Sequence, residues 1–192
     1  MALEFKETGI PGLLVVDPKV FGDERGFFME SYSARDFLAQ GIDVVFVQDN
    51  HSKSRKGVFR GFHFQTENVQ TKLIRVISGS VLDFAIDLRK SSPTYRKCFK
   101  IELSEANRQQ LLIPKGFAHG FLTLEDDTEF VYKCDDFYNP SADAGIAYDD
   151  PALGIDWEAI CARYGMRFDE LVISEKDKKY PTMGEFHPVN PF

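Results

Sequence analysis

Short runs of apolar residues that alternate with polar ones follow one another along most of the chain. The clearest alternation spans residues 81–89, where one face would carry Leu82, Phe84, Ile86 and Leu88 and the other Asp83, Ala85 and Asp87. Eight such runs predict strands, at residues 13–16, 44–47, 72–77, 81–88, 99–103, 110–113, 120–123 and 129–134. The Ser-Gly-Ser sequence at residues 78–80 has the composition of a hairpin turn. Many short antiparallel strands with few helices favour a mainly β fold: a sandwich, a jelly roll or a barrel.

Two segments predict short helices. Residues 33–40 begin with Ser33 as N-cap, have Asp36 three positions later, and stop at Gly41. A second helix is predicted at residues 157–164, again ended by a glycine.

The length and the C-terminal composition indicate how the chain is organised. At ~150 residues per domain, 192 residues predict a single domain, 1–192. From Ser174 onwards the chain turns polar, and we expect residues 171–192 to form a C-terminal strap or tail. Its prolines, Pro181, Pro188 and Pro191, argue against a helix there.

The composition argues against several classes of protein. The 23 basic and 30 acidic residues give a net charge of −7, which disfavours general binding to nucleic acid or to an anionic membrane. The apolar runs are too short to cross a bilayer, and no basic segment followed by an apolar one indicates a signal peptide. Cys98, Cys134 and Cys161 are widely spaced and odd in number, as expected for reduced thiols in a cytoplasmic protein.

Two histidine-containing segments have the spacing of cupin motifs. Residues 114–119 follow the pattern P-x-G-x-x-H of the second motif, and residues 61–65, GFHFQ, stand where the first would lie. Metal-binding cupins have H-x-H in the first motif, but here Gln65 stands in the second histidine position. A metal site needs three or four nitrogen or oxygen ligands, and only His63 and His119 are available. The spacing therefore predicts a cupin-type jelly roll without a metal.

His63 is open to two interpretations. A strand histidine is commonly hydrogen-bonded within a core, but an imidazole also titrates in the range that a general base needs. A base needs an orienting partner, and the candidates are Asp83 in a strand and Asp177 in the tail. Spacing along the chain does not choose between these two carboxylates.

Three other side chains also have a structural and a catalytic interpretation. Tyr132 is either a core aromatic or a phenol that donates a proton. Lys72 and Arg60 are either solvated cations or groups that stabilise an enolate or a phosphate. Strict alternation puts Arg60 and His63 on opposite faces of a strand. They serve one site only if Gly61 allows a bulge, or if they contact different parts of a long ligand.

Several segments together resemble one known family. They are residues 21–30 (FGDERGFFME), 46–51 (FVQDNH), 57–65 (GVFRGFHFQ), 113–121 (IPKGFAHGF) and 174–177 (SEKD). In order and spacing they are similar to dTDP-4-dehydrorhamnose 3,5-epimerases over nearly the whole chain. The resemblance implies a cofactor-free, metal-free cupin-type jelly roll, usually a homodimer, that acts in deoxysugar (rhamnose) biosynthesis.

The resemblance also implies a mechanism and the residues that carry it. A sugar with a ketone at C4 has acidified protons at C3 and C5, so a base forms an enolate and a proton returns to the other face. By resemblance, His63 is the base, Tyr132 the proton donor, Asp177 the acid paired with the base, and Lys72 the cation at the enolate oxygen. The reaction expected is epimerisation of dTDP-4-keto-6-deoxyglucose to dTDP-4-keto-L-rhamnose.

Contacts to the nucleotide are implied in the same way. The residues in matching positions are Arg25, Glu30, Gln48, Asn50, Arg60, His119, Tyr138, Asp143 and Lys176. Tyr138 would stack on the base. In the family Arg25 and Glu30 reach the site of the neighbouring subunit, so dimerisation would be functional.

Other functions remain open from the sequence. A mono-epimerase at C3 or C5, a 3,4-ketoisomerase, or an enzyme acting on a GDP- or CDP-linked sugar would use the same base. A non-catalytic sugar-nucleotide binding module is a further alternative, because one fold hosts many functions. A metal-dependent oxygenase is disfavoured by Gln65. The segment of residues 159–170 is longer than is usual in the family. It precedes Asp177, so its length affects how the tail reaches the site.

Overall fold

The structure is a computed structural model that describes residues 2–187 and 190–192. In chain order the strands are β1 (Leu3–Glu7), β2 (Leu14–Pro18), β3 (Val20–Asp23), β4 (Gly26–Met29), β5 (Gln48–Ser54), β6 (Phe59–Gln65), β7 (Lys72–Ser78), β8 (Ser80–Asp87), β9 (Cys98–Ser104), β10 (Gln110–Ile113), β11 (Phe117–Thr123), β12 (Thr128–Cys134) and β13 (Asp143–Gly145). The helices are α1 (Ala34–Ala39), α2 (Trp157–Arg163) and α3 (Met183–Phe186), with 3₁₀ turns at Pro151–Leu153, Phe168–Glu170 and Asp177–Lys179.

Two antiparallel sheets face each other. One has the order β1-β2-β10-β7-β12-β5 and the other has the order β13-β6-β11-β8-β9, while β3 and β4 form a separate hairpin. The chain passes repeatedly from one sheet to the other, as in a cupin-type jelly roll. The predicted mainly β fold with a few short helices is therefore confirmed.

Strand β8 belongs to two apolar layers. Phe84 and Ile86 pack with Trp157 of α2 on the outer face of the five-stranded sheet. Val81 and Ala85 point the other way, into the core between the sheets. This confirms the alternation predicted for residues 81–89. Phe84 is completely buried, and burying a side chain of this size stabilises the fold by ~1.5–3 kcal/mol.

Helix α1 covers part of the outer face of the six-stranded sheet. The Ser33 hydroxyl accepts a hydrogen bond from Asp36 N, which caps the helix as predicted. Phe37 on the inner side of α1 is fully buried against Leu73 and Leu112. The second predicted helix is confirmed as α2.

The predicted strand at residues 44–47 is wrong. The backbone of these residues belongs to no strand, although Val47 N donates a hydrogen bond to the carbonyl of Cys134 at 2.8 Å, and β5 begins at the next residue, Gln48. Val44 and Phe46 pack on the cluster around Phe37, whereas Val45 and Val47 are exposed. The alternation therefore records an extended segment lying across the face of a sheet, which buries every second residue without a ladder of hydrogen bonds.

The predicted hairpin at residues 78–80 is also wrong. Strand β7 pairs with β10 and β12, whereas β8 pairs with β9 and β11, so Gly79 carries the chain from one sheet to the other. Gly79 has a φ of 74°, and a Cβ there would lie 2.3 Å from Thr128 Oγ1. A hairpin and a sheet-to-sheet turn both favour glycine in this conformation, so composition does not separate them.

The C-terminal segment crosses the domain as a strap, but it contains a helix that its prolines had argued against. Thr182 caps α3 through a capping box with Glu185. Pro181 lies just outside this helix, so its missing N–H interrupts no helical hydrogen bond. Pro188 lies outside the described residues.

The remaining sequence expectations concern membranes and thiols. Across residues 2–187 and 190–192, no helix is long and apolar enough to cross a bilayer; α2, for instance, has seven residues. Cys98, Cys134 and Cys161 are free thiols, as expected.

Candidate active site

A cleft of about 320 Å³ opens between the two sheets. Strands β6 and β11 of one sheet and β5, β7 and β12 of the other contribute its walls. The lining residues are Asn50, His51, Ser52, Arg60, His63, Lys72, His119, Phe121 and Tyr132. Six of these residues were implied by the resemblance, and they come from five different strands.

A bulge in β6 brings Arg60 and His63 into the same cleft. His63 pairs with His119 of β11, but the next pair is Arg60 with Phe121, so β6 holds one more residue than β11 in between. Gly61 in this bulge has a φ of 140°, and a Cβ there would lie 2.6 Å from the Cα of Gly120. Of the two possibilities left open by the sequence, the structure therefore has the bulge.

His63 is paired with Asp177. Its Nε2 lies 2.9 Å from Asp177 Oδ1, and Asp177 Oδ2 accepts a hydrogen bond from Gly61 N at 3.2 Å. Burial opposes ionisation of Asp177, but the hydrogen bonds from His63 and Gly61 outweigh it and hold its pKa below the usual value. Asp177 is therefore a carboxylate that accepts Nε2–H, which leaves Nδ1 as the basic nitrogen of the ring.

Asp83, the other candidate partner of His63, is paired with His119. Its two carboxyl oxygens lie 3.2 and 2.9 Å from His119 Nε2, and Asp83 is completely buried. Burial raises the pKa of Asp83 and lowers the pKa of His119, so the low dielectric favours the neutral forms of both groups. The His119 ring also stacks on Phe130, with 6.1 Å between centroids. The site thus contains two histidine–aspartate pairs, whose histidines lie on the neighbouring strands β6 and β11.

Lys72 is a cation of the cleft that makes no ion pair with any residue in the described part of the chain. Its Nζ lies 5.8 Å from the centroid of the Tyr132 ring. Burial lowers the pKa of Lys72, and Cys134, Asp143 and Asp83 only partly oppose this effect. Such a lysine is suited to stabilising negative charge that a ligand brings or develops.

Tyr132 is the phenol of the cleft. Its ring packs on Phe130 at the edge of the core between the sheets. Burial raises the pKa of Tyr132 to about 12, although nearby Arg60 opposes the effect. The phenol is therefore protonated at neutral pH, which is the state that a proton donor needs.

Residues at one end of the cleft are joined by their own hydrogen bonds. Gln48 Nε2 donates to Asn50 Oδ1 at 3.1 Å, and Tyr138 N donates to Gln48 Oε1 at 3.0 Å. The Tyr138 side chain is largely exposed, as a residue that stacks on a ligand must be. The structure thus brings Gln48, Asn50 and Tyr138 together.

Cations flank the same cleft. Arg60 donates to Ser54 Oγ at 3.3 Å through both Nε and Nη2. Lys176, which precedes Asp177 in the strap, forms an ion pair with Asp143. Burial alone would lower the pKa of Lys176, but the carboxylate of Asp143 outweighs this effect and raises the pKa. The positive charges suit an anionic ligand such as a diphosphate.

Arg25 and Glu30 are not brought to the cleft of their own chain. Arg25 lies in the turn of the β3–β4 hairpin and pairs with Asp23. Neither it nor Glu30 is among the described residues that line the cleft. Phe27 and Phe28 of the hairpin are 57% and 70% exposed. Arg108 lies over the Phe27 ring, but the hairpin leaves most of both aromatic side chains uncovered.

Gln65, in the second histidine position of the cupin motif, ties two loops together. Its Nε2 donates to the carbonyl of Asn68 at 2.7 Å, and its Oε1 accepts from Asn139 N at 2.8 Å. Among the residues that the structure describes, no group of three or more His, Cys, Asp and Glu side chains is arranged to hold a metal ion.

The sequence reasoning missed His51, Ser52 and Phe121 in the wall of the cleft, and two further residues next to it. Ser54 holds the Arg60 guanidinium, and the Tyr180 ring lies 5.8 Å from that of His63. Ser54 gave no signal, because a polar residue at the end of a strand is common. Tyr180 did have one: it follows Asp177 by three residues in a segment expected to cross the domain.

Comparison with known proteins agrees with this geometry. The family model described as dTDP-4-dehydrorhamnose 3,5-epimerase matches residues 7–185. A relative of that name from Methanothermobacter thermautotrophicus is 46% identical over 185 residues, covering 96% of each chain. The chain belongs to this family. The family's named activity is that of a sugar-nucleotide isomerase, so the enzyme class expected from the resemblance is confirmed.

Solved structures of the family place both double and single epimerases on this fold. An epimerase from Legionella pneumophila in complex with dTDP-4-keto-L-rhamnose is 42% identical, with a TM-score of 0.87 over 95% of this chain and 93% of that one. ChmJ, a 3'-monoepimerase from Streptomyces bikiniensis in complex with dTDP-quinovose, is 26% identical, with a TM-score of 0.86 over 97% and 91%. The fold alone therefore does not select which carbons are inverted.

Proposed function

We propose that this enzyme epimerises C3 and C5 of dTDP-4-keto-6-deoxyglucose to give dTDP-4-keto-L-rhamnose, without a cofactor, in dTDP-rhamnose biosynthesis. One observation carries the proposal. A histidine paired with a buried carboxylate lines one cleft together with a protonated tyrosine and a lysine that forms no ion pair with the described residues. These are the groups that enolisation next to a ketone requires.

Proton removal is assigned to His63. The C4 ketone acidifies the protons on C3 and C5, and Nδ1 of His63 takes one of them as general base. Asp177 accepts Nε2–H, holds the ring in one tautomer and stabilises the imidazolium that forms. The negative charge moves to the C4 oxygen, where Lys72 stabilises the enolate.

Reprotonation is assigned to Tyr132. The phenol donates its proton to the opposite face of the carbon, which inverts the configuration and leaves a phenolate. The phenolate regains a proton from water as His63 releases the one that it took, so the enzyme returns to its starting state. The same groups serve C3 and C5 when the sugar presents each carbon in turn.

The nucleotide part of the substrate is assigned to the polar and cationic groups around the cleft. Arg60 and Lys176 offer charge-assisted hydrogen bonds to the diphosphate. Tyr138 offers a ring for stacking on the base. The remaining proposed contacts are Gln48, Asn50, His119 and Asp143.

A homodimer completes the site in this proposal. Because Arg25 and Glu30 lie away from their own cleft on a hairpin with exposed Phe27 and Phe28, the hairpin is suited to reaching a second copy. Sedimentation analysis should give twice the mass of 21.9 kDa. Mixing an Arg25→Ala variant with a His63→Asn variant should restore activity, because mixed dimers contain one site with neither change. A monomer with full activity would contradict the assignment.

A cytoplasmic location stays a prediction.

The experiment that tests the function is proton NMR of the enzyme with dTDP-4-keto-6-deoxyglucose in D₂O. We expect loss of the C3 and C5 proton signals, and formation of dTDP-rhamnose when a 4-keto reductase is added. Exchange at one carbon only would favour a mono-epimerase or a ketoisomerase, which is the second candidate because ChmJ shares the fold. If neither proton exchanges and a GDP- or CDP-linked sugar raises the melting temperature, the assignment of the dTDP-linked substrate would be overturned. Stabilisation by ligand without exchange on any keto sugar would indicate a binding module; a saturating ligand at 100 times its Kd adds ~2.7 kcal/mol.

A further inference from the structure

The C-terminal strap presses an aromatic ring against the proposed base, and the mechanism above does not use this contact. The rings of Tyr180 and His63 have centroids 5.8 Å apart and planes at 72°. This is an edge-to-face arrangement, which favours one orientation of each ring.

The backbone of β13 and the backbone that follows Tyr180 hold its ring in place. Gly145 of β13 pairs with His63 of β6, and a Cβ on Gly145 would lie 2.5 Å from two ring carbons of Tyr180. The ring therefore lies directly on the backbone next to the base, at a position where only glycine leaves room. On its C-terminal side, the carbonyl of Pro181 accepts a hydrogen bond from Ala147 N at 2.8 Å.

The hydroxyl of Tyr180 does not explain why a tyrosine stands here. It is buried, and its polar neighbour Lys176 is already in an ion pair with Asp143, so no hydrogen bond of good geometry reaches it from the described residues. Burial raises the pKa of Tyr180 to about 12, although Lys176 opposes the effect, so the hydroxyl is protonated. A buried hydroxyl without a partner costs stability. What Tyr180 offers the site is therefore its ring.

We propose that Tyr180 is a positioning residue for the base: its ring holds the His63 imidazole with Nε2 towards Asp177. The inference rests on the proposed function only for the role of His63 as the base. Without the ring, the imidazole gains freedom to turn about its Cβ–Cγ bond. Fewer molecules then hold Nδ1 ready to take a proton. Lys176, one of the groups assigned to the nucleotide, also lies near the Tyr180 ring, 5.9 Å from its centroid, but its ion pair with Asp143 remains without that ring.

Kinetics of two substitutions at this position separate the ring from the hydroxyl. Tyr180→Ala should lower kcat about tenfold and leave KM within about twofold, because the orientation of the base is lost whereas Lys176 is still held by Asp143. Tyr180→Phe should restore kcat to within about twofold of the wild type and melt at the same or a higher temperature. The matched control is Tyr95→Ala, which removes another aromatic contact of the strap, the hydrogen bond from Tyr95 Oη to His187 Nδ1. It should leave kcat unchanged.

Two results would overturn the positioning role. One is a Tyr180→Ala enzyme with wild-type kcat; the other is a Tyr180→Phe enzyme as slow as Tyr180→Ala, which would assign the effect to the hydroxyl. Histidine-selective ¹⁵N NMR tests the same point without any substrate. The wild type should show His63 as a single Nε2–H tautomer, and Tyr180→Ala should show averaged signals. A His63 tautomer that is unchanged in Tyr180→Ala would overturn the positioning role. This result does not depend on substrate, so it is distinguishable from a wild type that is inactive on the keto sugar, which would overturn only the proposed function.

Discussion

Replacing His63 with asparagine should slow exchange of the C3 and C5 protons by ~2 to 4 orders of magnitude, the usual contribution of a general base. Asparagine retains a polar group that can bond to Asp177, but it has no nitrogen that takes up a proton near neutral pH. The fold should persist, because His63 lies in the wall of a cleft and is only half-buried. The measurement is the initial rate of signal loss by proton NMR in D₂O.

The control for this substitution is His187→Asn. His187 lies in the same strap as Asp177, is exposed, and contacts Tyr95 away from the cleft. Its replacement should leave the exchange rate unchanged. A His63→Asn enzyme that exchanges both protons at the wild-type rate would remove His63 from the mechanism, and with it the role of the pair with Asp177.

Replacing Lys72 with methionine should lower kcat/KM by ~10² to 10³, the loss typical of removing one group that stabilises an oxyanion. The same substitution should leave the melting temperature equal or raise it. Burial lowers the pKa of Lys72, so its charged form is less favourable in the folded than in the unfolded chain. This cost is complete below the folded-state pKa and disappears as the pH rises above the unfolded value. Methionine removes the charge at similar volume and therefore the cost.

Lys100→Met is the matched control, because Lys100 lies on β9, outside the cleft, with an exposed side chain. It should leave kcat/KM unchanged. The free energy of unfolding should change by no more than ~0.5 kcal/mol. Rates and melting curves of the two variants should be measured together. If Lys72→Met destabilised the protein and kept its kcat/KM, Lys72 would be a structural residue.

Much of the architecture was accessible from local pattern. Alternation located the two-faced strand β8, and the Ser33 cap located α1, because both depend on residues close in sequence. The errors at residues 44–47 and 78–80 both concern strand pairing, although the first prediction rested on alternation and the second on turn composition. A period of two reports which side chains are buried, but it does not report which strand, if any, the backbone pairs with.

The partner of His63 shows the same limit in the site. Asp83 and Asp177 are equally plausible by residue type, and Asp177 lies 114 positions from the histidine that it orients. Packing decides the matter: Asp83 is enclosed beside His119, and the strap carries Asp177 to Gly61 and His63. Contacts over such separations depend on sheet order and on where a strap crosses.

By itself the sequence determined the alternation that builds two sheets, the turn and cap residues, the set of candidate groups and the family to which the motifs belong. These properties depend on residues close together in the sequence, so they can be recognised without knowledge of the fold. Only the tertiary structure decided that a bulge at Gly61 directs both Arg60 and His63 into one cleft. It also decided that Lys72 lies there without a counter-ion among residues 2–187 and 190–192. It also placed Tyr180 on Gly145 beside the base. Each of these outcomes depends on strand register and on desolvation by distant segments, which residue order along the chain does not express.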